Sequence, residues 1–156
     1  MKKILLTSAT HSLSLRVANL LKDKFDIVLA TAEQVPSFMS DKYLRIPQGA
    51  NPTYAHELLK LALDQQCDYI LPIQLSEIQA LSESIILFEE YGIAVIGPSK
   101  DQLQGIEVLA NPNSDFTLSL IYNHIDLFTQ KPLKVDINGL WLLSDSAEDF
   151  ILAIGK

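Results

Sequence analysis

The sequence predicts an α/β fold: a Rossmann-like, doubly wound parallel sheet of about five strands, followed by a small C-terminal appendage made of a β-hairpin plus a helix. Three observations predict it. Between Tyr69 and Leu103 come an apolar run (YILPI), a polar turn, a helix-like segment ending near Tyr91, and a second apolar run (GIAVIG). Strand, crossover helix and strand at that spacing form the βαβ unit of a parallel sheet. Upstream, short β-like runs alternate with helix-like ones from the first residues onward, as expected of a sheet covered on both faces. Downstream, Asn138-Gly139 stands between apolar runs in KVDINGLWLL, which matches the two-residue turn of a type I′ hairpin.

Each element has a local reason. Residues 3–7 read as a first strand, and Leu13, Val17, Leu20 and Leu21 then recur at helical spacing behind Ser12, a suitable cap. Residues 27–31 read as a second strand, 33–41 as a loop with a helical turn, and 43–46 as a third strand stopped by Pro47. Asn51 as cap and Pro52 at the first helical position open a helix with Leu58, Leu59, Ala62 and Leu63 on its apolar face, ending near Gln66. Residues 69–73 read as a fourth strand, apolar on both faces as central parallel strands are. Ser76 is placed to cap the next helix, which carries Ile78, Leu81, Ile85 and Phe88. Residues 93–96 read as the fifth strand, and Pro98-Ser99 starts a short helix that Gly105 closes. Handedness then puts every β-to-α loop on one edge of the sheet, where a small-molecule site is expected.

Past Gly105 the pattern changes. The breaker cluster Asn111-Pro112-Asn113-Ser114 divides a core domain, 1–110, from an appendage, 111–156. Phe116, Leu118, Leu120 and Tyr122 alternate as in a strand, while Leu118, Ile121, Ile125 and Phe128 also fit a helical stripe, so 116–129 stays open between the two. Asp145 and Glu148 resemble a capping box that opens a last helix through Phe150, Ile151 and Ile154.

Composition narrows the classes of function. Hydrophobic residues make up 48% of the 156 against 20% charged, enough to bury one core and to argue against disorder. A net charge of −7 without a Lys/Arg stripe disfavours a nucleic-acid partner, whose phosphates demand clustered cations. The single Cys cannot form an intramolecular disulfide, in keeping with a reducing cytoplasm. In MKKILLTSAT the apolar run is only ILL, too short for a signal peptide, and no run reaches membrane-spanning length. A cytoplasmic protein without a membrane partner is expected.

No complete catalytic constellation is present. There is no G-x-S-x-G elbow and no P-loop, and His11, His56 and His124 lack metal-motif spacing. Cys67, just before strand four, reads as a small buried hydrophobe. The first turn, T-S-A-T-H-S, has no glycine, which disfavours both a phosphate cradle and NAD. Glu33 lies where a Rossmann domain holds a ribose hydroxyl, but without the glycine turn. Thr7, Ser8, Thr10 and His11 nonetheless put hydroxyls and an imidazole on the ligand edge, and Gln74, Ser76 and Glu77 face it from strand four. Two readings stay open for them: a polar pocket for a small molecule, or a solvated turn in which Ser76 caps and Glu77 complements the helix dipole. Lys100 beside Ser99 has the same pair of readings. In the hairpin, Leu140, Trp141 and Leu142 supply apolar groups for both faces, so Trp141 is either a core anchor or an interface aromatic.

The segment KKILLTSATHSLSLRVANLLK resembles the opening of biotin carboxylase and carbamoyl phosphate synthetase subunits. SDKYLRIPQGANPTYAHELLKLALDQQCDYILPIQLSEIQAL is similar to the next stretch of that group, with its proline-terminated strand, its helix and an acidic residue opening the following helix. GIAVIGPSKDQL is similar to the fifth strand and its turn. Together, residues 1–105 resemble the N-terminal pre-ATP-grasp domain of ATP-grasp enzymes. In that family the ATP-grasp module that follows supplies the nucleotide-binding lysines and the magnesium ligands, whereas residues 106–156 offer only Lys131, Lys134 and Lys156. The resemblance therefore implies a stand-alone small-molecule-binding or partner-docking module, not catalytic alone and without a cofactor of its own. ATP and magnesium would enter only through a separate ATP-grasp partner protein. The alternative it implies is the N-terminal, substrate-side subunit of a split ATP-grasp carboxylate ligase. The appendage is expected to serve docking or a homodimer. A receiver-like sensor is disfavoured, since no acid cluster follows the first and third strands.

Overall fold

The computed structural model describes residues 1–144 and 149–156. Its first half alternates strands and helices: β1 (Lys3–Leu6), α1 (Ser12–Leu21), β2 (Asp26–Thr31), a 3-10 turn (Ser37–Lys42), β3 (Leu44–Arg45), α2 (Tyr54–Asp64), β4 (Tyr69–Leu71), α3 (Leu75–Ser82), α4 (Ile85–Glu90), β5 (Ala94–Val95) and α5 (Lys100–Leu103). The five strands form one sheet in the order β3-β2-β1-β4-β5, and every pairing is parallel. This is the Rossmann-like α/β sheet expected from the sequence. The order reverses between β1 and β4, the switch point at which such sheets open a crevice.

Side-chain alternation explains how both faces are filled. Leu5, Ile70 and Val95 point to a core shared with Tyr54 and Leu58 of α2, Leu81 of α3 and Phe88 of α4. Ile4, Leu6 and Leu71 point the other way, toward Leu13, Val17 and Leu21 of α1, which recur every four residues on one helical face. The segment expected as one helix after Ser76 is two, because the helix breaks at Glu83 and Ser84.

The second half is a mixed sheet built from β6 (Glu107–Ala110), β7 (Leu118–Tyr122), β8 (Ile125–Asp126), β9 (Lys131–Pro132), β10 (Gly139–Leu143) and β11 (Phe150–Ile154), in the order β6-β11-β10-β7-β8-β9. Leu118, Leu120, Leu140 and Leu142 pack with α1 and β1 in one core. The open choice at 116–129 resolves against the helix: β7 and β8 occupy 118–122 and 125–126, and turns and irregular chain make up the rest.

Two expectations for this half are corrected. The last segment is a strand and not a helix: FILAI pairs antiparallel with β10 and parallel with β6. Five consecutive apolar residues fit a fully buried strand as well as a helix, and two waiting partner strands decide the matter. The capping box assigned to Asp145 and Glu148 lies outside the described residues. Asn138-Gly139 does not turn a hairpin either. It leads into β10, whose partners are β7 and β11, while the Asn138 carboxamide accepts a hydrogen bond from the Asn123 amide (3.0 Å). The tight two-residue turn is Asn123-His124, between β7 and β8, with φ of 52° and 65°, the left-handed pair that such a turn requires.

Candidate functional site

The carboxyl ends of the parallel strands gather most of the polar residues singled out in the sequence, and β1 delivers the first of them. Its turn reaches the left-handed region without glycine: Ser8 has φ 48°. The Thr7, Ala9 and His11 amides donate to the carbonyls of Leu71, Ala30 and Ser8 (3.2, 3.0 and 2.9 Å). Those three N–H groups are thereby engaged by the backbone and are not available to a phosphate.

At the switch point between β1 and β4 stands Glu77, in the first turn of α3 and 2% exposed. Its Oε1 accepts from the Thr7 hydroxyl (2.9 Å), the Ser8 hydroxyl (2.8 Å) and the Gln74 amide (3.2 Å), and its Oε2 accepts from the Tyr54 hydroxyl (2.8 Å). Thr7 Oγ1 in turn accepts from the Ile73 amide (2.9 Å). One carboxylate thus ties together the turn after β1, the end of β4, α2 and the start of its own helix. Four donors offset the desolvation that would make a lone buried carboxylate costly. Burial and then the neighbouring Glu77 hold the Tyr54 hydroxyl well above its ordinary value, so it remains a donor.

The crevice is also covered. A Cβ on Gly49 would lie 2.6 Å from the Glu77 amide nitrogen and 2.7 Å from the Ser76 carbonyl carbon, so the 48–50 loop approaches the start of α3 closer than any other residue allows. Gly155 covers the other side: its amide donates to the Ile73 carbonyl (3.0 Å), and a Cβ there would meet Ile73 Cγ2 at 2.7 Å.

Next to this closed region the edge is more open. Thr10 donates to Glu33 (2.8 Å), His11 Nε2 lies 3.4 Å from the same carboxylate, and Gln74 Nε2 lies 3.3 Å from His11 Nε2. Ser76 is half-buried. Beyond Glu33, above β2 and β3, opens a pocket of about 340 Å3.

The expected site residues therefore separate. Thr7, Ser8 and Glu77 come together and are buried, Gln74 and Ser76 lie at the rim, and Thr10 and His11 join Glu33 on the open side. Leu140, Trp141 and Leu142, expected at an interface, are buried inside the chain. Leu140 and Leu142 join the core over α1. Trp141 packs against Ile78 and Leu152, meets Phe150 edge to face, and donates its Nε1–H to the Asn138 carbonyl (3.1 Å). That run fills both faces of its own sheet. Lys100 pairs with Glu83 (3.1 Å), and Ser99 caps α5 through the Gln102 amide (3.2 Å). Cys67 is buried, and burial pushes its thiol up to about 11. Among the described residues, no three His, Cys, Asp or Glu side chains gather as metal ligands, and no helix is long and apolar enough to cross a membrane.

Sequence reasoning missed Tyr54 and Arg45. Tyr54 sits four residues before Leu58 on the buried stripe of α2, a spacing that marks it as inward-facing. Arg45 ends β3 on the ligand edge, and its place beside the pocket has no local signal. The chain matches no protein-family model and no curated protein.

Proposed function

We propose that this chain is a pre-ATP-grasp-like binding domain that takes a small polar molecule at the carboxyl-end edge of its parallel sheet and performs no catalysis alone. The observation that carries the reading is the division of that edge. Glu77, deeply buried at the switch point, already accepts four hydrogen bonds from the chain itself, so it is not presented to a ligand. Beside it, Thr10, His11 and Glu33 form a partly exposed polar cluster next to an open pocket. Binding is favoured over docking because the apolar run available for docking, Leu140 to Leu142, is buried within the chain.

The test is a thermal-shift screen of the purified chain against nucleotides, amino acids and small carboxylates. A ligand at a hundred times its dissociation constant adds about 2.7 kcal/mol to the unfolding free energy, which raises the melting temperature by several degrees in a chain of this size. ATP turnover by the chain alone, or the absence of a shift with every compound, contradicts the proposal.

A further inference from the structure

The pocket above β2 and β3 has opposite charges: Arg45 at the end of β3 and Glu33 in the loop just after β2. Thr31 and Arg45 are in register across β2 and β3, and the chain turns just past Thr31, whose hydroxyl accepts from the Glu33 amide (3.1 Å). Glu33 and Arg45 thus line one pocket of about 340 Å3, together with Ser40, Tyr43, Val35 and Leu44. The two charges do not pair with each other. Among the described residues the ion pairs are His11 with Glu33, Lys100 with Glu83 and His124 with Asp136. Each Glu33 oxygen has one neighbour, the Thr10 hydroxyl at Oε2 (2.8 Å) and the His11 imidazole at Oε1 (3.4 Å), which leaves lone pairs on this exposed carboxylate for a further donor. Arg45 also borders a second groove shared with Glu57 and Asp64, and pairs with neither.

We infer that this pocket binds a small zwitterion, a free α-amino acid in the simplest case, with its carboxylate on Arg45 and its ammonium on Glu33. The inference rests on the binding reading above and names the ligand class. A guanidinium presents a planar fork that matches a carboxylate, and a carboxylate already oriented by two neighbours accepts an ammonium at little further ordering cost. A simple anion would meet the exposed carboxylate of Glu33, and a simple cation the guanidinium of Arg45. Only a molecule carrying both signs satisfies both walls. Val35 and Leu44 then offer apolar contact to its side chain. The volume is at the small end for ligand pockets, suited to a metabolite of few heavy atoms and too small to enclose a dinucleotide.

The test is calorimetric titration of the full chain with the free amino acids. The tightest binder is then compared with the same molecule lacking its amino group and with the same molecule lacking its carboxylate. The zwitterion is expected to bind at least about tenfold more tightly than either half, and Arg45→Met and Glu33→Gln are each expected to weaken it about tenfold or more. The melting temperature of both unliganded variants should match that of the parent. Equal binding of a half-molecule, or undiminished binding by both variants, overturns the inference. If nucleotides or simple carboxylates bind and no amino acid does, the zwitterion is wrong and the binding reading stands. Silence from every compound ends both.

Discussion

Above β1 and β4, four donors engage the Glu77 carboxylate, while Gly49 packs on the start of α3 and Gly155 on Ile73. One strand further along the same edge, above β2 and β3, Glu33 and Arg45 share a pocket without pairing. Both regions contain a carboxylate, hydroxyls and a loop after a parallel strand, yet in one the polar groups satisfy each other and in the other they face solvent. The contrast shows that position at a switch point does not by itself make a site. Where the chain's own donors fill the crevice, that crevice contributes to stability, and recognition is left to the neighbouring groups whose bonding is incomplete.

Removing Glu77 breaks the closed half hardest. Glu77→Ala strips the acceptor from three buried hydroxyls and one amide, and is expected to cost about 3 kcal/mol or more in equilibrium denaturation. A loss below about 0.5 kcal/mol would show that the network is incidental.

Alkaline titration separates the buried polar groups from the open ones by a different route. Burial raises Cys67 from 9.0 to about 11 and also raises Tyr54 and Tyr122. The fold therefore keeps protons that the unfolded chain releases. For Cys67 this contribution to stability is complete below pH 9 and is lost as pH rises toward 11, at up to about 1.4 kcal/mol per pH unit. Denaturation midpoints measured from pH 8 to 11 should fall along this slope, and Cys67→Ala should flatten its onset, the two tyrosines contributing only higher up.

A smaller effect isolates the glycine-free turn. Ser8→Ala and Ser8→Gly both lose the hydroxyl that bonds to Glu77, but only glycine accepts φ 48° without strain. The glycine variant should be the more stable by about 1 kcal/mol in urea denaturation. Equal stability would mean that the turn relaxes when the hydroxyl is removed.

How much of this was legible in the sequence follows from how local each cause is. The parallel half could be read because its signals are short-range: Leu13, Val17 and Leu21 set the face of α1, and the alternation of Ile4, Leu5 and Leu6 sends side chains to two cores. The second sheet was less legible because its signals are long-range. FILAI becomes a strand only because β6 and β10 flank it, and Asn138-Gly139 fails as a turn because its carboxamide bonds to the backbone at Asn123. At the site, sequence position put Thr7, Ser8 and Glu77 on one edge, but not their mutual bonding, which depends on the register of β1 with β4. Arg45 went unnoticed because its relation to Glu33 exists only across the β2 and β3 pairing.

The central claim, a closed half and an open half on one edge, is tested most directly by backbone amide resonances of the labelled chain during titration with free amino acids. The expected perturbations fall on residues 31–35 and 40–45 and leave 7–9 and 73–77 in place. Perturbations centred on Ser8, Gln74 and Glu77, or none anywhere, would contradict it.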